Sequence, residues 1–266
     1  LLQILAEIAS RSVRPVVGLL TVLHQAFQHY AASLSPTQRR EWNKVQGRFE
    51  DVGFYQSSGE LLSLVSRSIE PQGDCASLRQ MVALEAQQAG ELEVLPRDLH
   101  QDEALETIAG CAPLHPTTAL ALASLFRSRL AQNERSLFAF LCSREPHGFQ
   151  DFLRVETWAD NGYRPFYRLE KLYDYVLAAL GSGLYAQAQG KHWAEIGEAL
   201  ERLPEGAVEM DVRLIKTIGM LGLLGDQRYL RASTGILTYA LADGHATARD
   251  VEESLRRLET WKIAIY

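Results

Sequence analysis

The chain is poor in cysteine. Its 266 residues carry three, Cys75, Cys111 and Cys142, scattered along the sequence. No pair has metal-ligand spacing, which fits a reducing compartment better than a disulfide framework. No apolar run is long enough to span a bilayer. Positive charge is in deficit, with a formal net charge of -6, which argues against a dedicated nucleic-acid or membrane-surface binder.

Several chemistries also lack their signatures. There is no Gly-x-x-x-x-Gly-Lys-Ser/Thr loop to cradle a phosphate. No apolar strand ends in an acidic pair that could hold Mg²⁺. No serine sits in a nucleophile elbow, and no Cys/His cluster has zinc spacing. His24 and His29 are five apart and do not share a helix face. This chain alone therefore cannot bind and hydrolyse a nucleotide by the P-loop route.

A hydrophobic share of 47% supports a real core. Helical spacing begins at once, with Leu1, Leu2, Ile4, Leu5 and Ile8, so that Leu1 to Arg11 reads as an amphipathic helix broken by Arg14-Pro15. Val16 to Leu23 is short, apolar and rich in β-branched residues, as expected of a strand buried on both faces. Ser35-Pro36-Thr37-Gln38 is a capping box with proline at the first helical position. Arg48 to Val52 reads as a short strand or extended loop, and Gly59 to Ile69 and Leu78 to Gln88 as helices. Gly90 to Glu106 reads as a loop with one helical turn, capped by Asp98 or Asp102.

The stretch from Cys111 to Ser143 organises the chain. It reads as two helices hinged at Ala131-Gln132-Asn133. The first opens behind Leu114-His115-Pro116 and is apolar on most sides, so it must be buried. The second opens at Asn133. Further helices are expected over Leu169 to Leu180 and Leu184 to Leu203. Asp211, Ser233 and Thr247 each start a short helix, and Trp261 to Tyr266 reads as the beginning of a strand. Three helices and then a strand is the order of a winged-helix module. Both chain ends read as those of an internal piece of a longer protein.

Four positions can carry function by their placement. His24 and Gln25 end the expected strand, where a polar side chain either points into the ligand crevice of an α/β sheet or simply reaches the surface. Arg48 follows a helix closing at Gly47; it can act as an arginine finger on a γ-phosphate or pair with Glu50 or Asp51. Arg135, near a helix N-terminus, is misplaced by the dipole rule unless an anion accompanies it. Glu134 or a phosphate can be that anion. The helix from Thr247 to Thr260 carries three arginines against four acids, a poor balance for DNA, whose affinity is dominated by phosphate contacts.

The phrases LAEIASRS…LLTVLHQAF, EWNKVQGRFEDV, PLHPTTALALASLFRSRLAQNERSLFAFL and RLIKTIGMLGLLG…WKIAIY resemble the second half of large bacterial AAA+/STAND-type P-loop ATPases, several of which belong to phage-defence systems. The resemblance implies that the phosphate-binding loop and acidic strand lie upstream of Leu1. It implies sensor-like roles for His24 and Gln25 and a finger-like role for Arg48. Pro116, with His115 beside it, falls near the proline with which the lid meets the nucleotide, and Arg135 resembles a lid sensor. The two motifs that define the family are absent from this stretch.

The expected fold is mainly α with a small α/β part. Residues 1–70 would complete a P-loop sheet, 71–206 form a helical lid, and 207–266 a winged-helix-like domain. The expected function is part of an ATP-binding, nucleotide-dependent switch, with ATP and Mg²⁺ held by the intact protein and no metal bound by this piece. The alternative is a non-enzymatic helical adaptor. Expected partners are the remainder of the longer chain and other proteins or a second copy, with DNA disfavoured and no membrane, in the cytoplasm.

Overall fold

The computed structural model describes residues 2–21, 34–50, 57–70, 76–125, 137–157, 163–185, 189–224 and 230–263. Among them the chain is mainly helical, and the only β-type pairing is one isolated parallel bridge between Leu114 and Tyr167. No described helix is long and apolar enough to cross a membrane. Two compact units are present, Leu1–Tyr55 and Gln56–Tyr266.

In the first unit, α1 (Leu2–Arg11) packs on α2 (Pro36–Gln46) through the buried Ala6 and Val45. The expected capping box forms: Ser35 Oγ accepts from the Gln38 N–H and the Gln38 side chain accepts from the Ser35 N–H. The opposite stripe of α1, with Ile4 and Ile8, is exposed.

The second unit holds the remaining helices. Ser57 and Glu60 cap α3 (Ser58–Ser68), and Asp98 accepts a further first-turn N–H, that of Gly59, at 2.9 Å. Next come α4 (Ala76–Glu91), α5 (Gln101–Gly110) and α6 (Pro116–Leu125). Then follow α7 (Leu137–Cys142), α8 (Phe149–Val155) and α9 (Leu169–Leu180), the last closed by a 3₁₀ turn over Gly181–Leu184. After α10 (Gly190–Glu201) come α11 (Glu209–Leu223), α12 (Thr234–Leu241) and α13 (Ala248–Thr260), which pack on one another.

Helix α6 is the axis of this unit. Its sequence is apolar or small on every side, and every residue from Leu114 to Leu122 is buried. It contacts α3, α4, α5, α9 and α11. Glycines permit the closest approaches around it. A Cβ on Gly110 would overlap the Ser66 side chain of α3, and one on Gly219 of α11 would overlap Ile196 of α10.

The strand expectations fail wherever they can be compared. Val16 and Leu20 are 84% and 91% exposed, and residues 16–21 join no ladder among the described residues. β-branched composition favours a strand only where neighbours cover and pair it. Nothing described in the first unit does so, and the small α/β part with its sheet end is therefore not seen. Residues 48–50 are a turn continuing α2, with the Arg48 N–H on the Val45 carbonyl at 3.1 Å. Trp261 to Ile263 is a helix closure: Lys262 adopts φ 56°, and the Ile263 N–H returns to the Leu258 carbonyl at 3.0 Å, the Schellman arrangement. Glu93 closes α4 in the same way, at φ 55°, returning the Val94 N–H to Ala89. Gln101–Gly110 forms a full helix where a loop with one turn was expected. Its N-cap is His100, without a side-chain bond, and Asp98 serves α3 instead.

Burial predicts the outcome of truncation. Leu122→Ala in α6 should cost about 3 kcal/mol, because the surrounding helices cannot collapse onto the gap. Ile8→Ala, on the exposed stripe of α1, should cost less than about 1 kcal/mol. Urea midpoints of the two variants check this, and equal losses would contradict the burial pattern.

Candidate functional site

The first turn of α6 lies in a closed polar socket. Because the residues that open α6 are all buried, their backbone polar groups depend on protein partners. The chain enters through the bridge to Tyr167: the His115 N–H donates to the Tyr167 carbonyl at 3.0 Å, and the Tyr167 N–H to Pro113 at 2.8 Å. Proline at N1 needs no donor partner. The His115 ring turns inward and is fully buried. Its Nδ1 lies 2.8 Å from Thr117 Oγ1 and accepts the Thr117 N–H at 3.3 Å. That assigns the ring proton to Nε2, which faces Glu85 Oε2 at 3.4 Å, too long for a strong hydrogen bond.

Glu85 is itself buried in α4. Arg164 Nη1 donates to its Oε1 at 2.7 Å. Burial raises the Glu85 carboxyl, but the approach of His115, the charge of Arg168 and the hydrogen bond from Arg164 outweigh it and hold the group below the usual range. Burial pushes the His115 ring the other way, to about 4, assisted by Arg168 and opposed by Glu85. At neutral pH the socket thus holds a carboxylate and a neutral imidazole.

Arg168 is the N-cap residue of α9, where the helix dipole disfavours a cation. Its side chain is buried and reaches the opposite kind of helix end. Nη1 donates to the Ala240 carbonyl at 2.7 Å and Nη2 to Ala242 at 3.0 Å, at the C-terminus of α12. Arg213 of α11 takes the intervening Leu241 carbonyl at 3.2 Å and pairs with Glu170 and Asp243 at 3.1 and 2.9 Å. Two guanidinium groups from other elements therefore satisfy the end of α12. Tyr239 completes the tie, donating its hydroxyl to the Glu85 main-chain carbonyl at 2.6 Å.

A second junction joins α11 to α13. The Val208 N–H donates to Asp211 at 2.9 Å, and Ser254 and Arg257 donate to the same buried carboxylate, Arg257 Nη2 at 2.8 Å. Asp211 is thus the third residue of α11, reaching back to its start, rather than the N-cap. The other arginines of α13 are also engaged, Arg249 with Glu253 and Arg256 with Glu252. A shallow groove of about 400 Å³ beside this junction is lined by Val208, Met210, Arg213, Asp243, His245 and Arg257 among others. Both its arginines are already paired.

The residues singled out from sequence are not gathered here. His24, Gln25 and Arg135 lie outside the described residues. Arg48, in the first unit, pairs with Glu7 at 3.1 Å. Pro116 and His115 are adjacent and buried. No cluster of His, Cys, Asp or Glu among the described residues could hold a metal ion. Sequence reading missed Glu85, Arg164, Arg168, Arg213 and the Asp211–Arg257 pair. One signal was available: Arg168 is a cation at a helix start, the anomaly that drew notice to Arg135.

Comparison with family models, curated proteins and solved structures gives no match to this chain.

Arg168 carries the clearest stability test. Arg168→Met and Arg168→Lys should each destabilise the second unit by about 2–4 kcal/mol. Neither side chain can bridge two carbonyls with a planar fork, and the buried carbonyls are left short of donors. Urea unfolding measures this, and a neutral Arg168→Lys would refute the bidentate role.

Proposed function

We propose that this chain is the helical lid and terminal three-helix portion of a nucleotide-dependent switch of the P-loop ATPase type, possessing no catalytic centre of its own. The observation that carries this reading is the position of α6. The resembling phrase begins at Pro113 and runs into α6, and in the fold that helix is the packed axis touching both the neighbouring helices and α11 of the terminal segment. A displacement at the start of α6 would reach α11–α13 through contiguous packing. In this reading ATP and Mg²⁺ are held elsewhere in the longer protein, since this stretch carries no phosphate loop. A cytoplasmic setting, and a place in anti-phage defence, belong to the same reading.

One observation favours a second reading, a non-enzymatic helical adaptor. His115 and Pro116 are enclosed, and the buried charges of the second unit are engaged with one another. The pairing of α13's arginines with its own acids and with Asp211 favours a protein over DNA as that adaptor's partner.

The test uses the longer reading frame. Wild type should bind ATP, and Arg48→Ala and Arg135→Ala should each weaken binding or turnover by roughly 10- to 100-fold, the worth of a charged hydrogen bond to phosphate. Unchanged affinity and turnover in both variants, or no ATP binding by the wild type, would remove the switch reading and leave the adaptor.

A further inference from the structure

The socket at the start of α6 contains an uneven set of charges. Facing His115 are Glu85 from α4, Thr117 from α6, Arg164 and Phe166 from the segment before α9, Arg168 from the start of α9, and Tyr239 from α12. Only one of these is an anion, and it already serves Arg164 at 2.7 Å. A proton added to His115 would make three cations beside one carboxylate, and although Arg164 reaches solvent, His115, Arg168 and Glu85 are buried.

The element with most to lose is α12. Its Tyr239 ring lies 4.6 Å from the imidazole, the Tyr239 hydroxyl is bonded to Glu85, and its last carbonyls are held by Arg168. Three polar ties of an eight-residue helix therefore meet around this socket. We propose that His115 is an acid-sensitive pin, whose protonation undocks α12 from α4 and α6 before the rest of the second unit unfolds.

The sign follows from proton counting. The folded ring is neutral and its pKa is depressed to about 4, whereas a solvated histidine titrates near about 6.5. Between those values the opened state binds more protons, so opening becomes easier as the pH falls. Above about 6.5 the pin has no effect. The Glu85 carboxyl is also depressed, so its contribution is lost in the same direction but below its ordinary range of about 4.5. The window between the two ordinary values belongs, within the socket, to His115.

Amide hydrogen exchange of Thr234–Leu241 at pH 6.5, 5.5 and 4.5, corrected for intrinsic rates, tests the proposal. In wild type the opening constant of α12 should rise about five- to sevenfold per pH unit, while α3 and α5 stay protected. His115→Gln, a neutral replacement, should flatten that dependence. Three results would overturn the pin: a pH-independent α12 in wild type, an unchanged slope in His115→Gln, or loss of protection in α3 and α5 together with α12. Should His115→Gln fail to fold, the ring resonances of the wild-type protein decide. A ring still neutral and protonated at Nε2 at pH 5 supports the proposal, and one titrating near its ordinary value in the intact fold refutes it.

Discussion

A helix buried at its start must have the backbone groups there satisfied by protein, and much of the second unit answers that requirement for α6. The Tyr167 bridge takes the backbone on entry, proline removes one donor, and the His115 ring takes another. The ring then needs a partner of its own, which brings Glu85 inside, and a buried carboxylate needs cations. Arg164 and Arg168 follow from that need. One apolar stretch of sequence thus recruits charged groups from segments far apart in the chain.

The same logic appears at helix termini. Helix α12 is too short and too buried to leave its last carbonyls to water, and Arg168 and Arg213 supply donors from α9 and α11. An arginine at the start of a helix opposes that helix's dipole unless it reaches something negative. Arg168 reaches the negative end of another helix, so the misplaced charge in one element is the cap of the next. Lys262 and Glu93 stand where glycine is usual and hold left-handed conformations because the residues that follow them, Ile263 and Val94, are buried by the closure.

Local features were legible along the chain. The Ser35, Ser233 and Thr247 caps form as read, and α9 has the expected limits of Leu169 and Leu180. Burial of the stretch behind Pro116 followed from its lack of a polar face. These depend on side-chain-to-backbone bonds within one turn, or on periodicity within one helix, both written in consecutive residues. The strands were misread because a short run of β-branched residues states a preference without its pairing partner. In Trp261–Ile263 the apolar pattern belonged to a helix closure instead.

The candidate site was legible only at its backbone. Sequence by itself determined that a helix opens at Pro116, that it is buried, and that the chain holds no phosphate loop. It also determined that α13 balances its own charges, since Arg249 and Glu253 stand one turn apart on a single helix. Only the tertiary structure decided that His115 faces Glu85, thirty positions away, that Arg168 serves carbonyls beyond residue 239, and that Asp211 finds Arg257. The physical reason is the range of the interactions. Caps and periodicity act within a turn of helix, whereas a buried charge is satisfied by whichever distant segment the packing brings within hydrogen-bond reach.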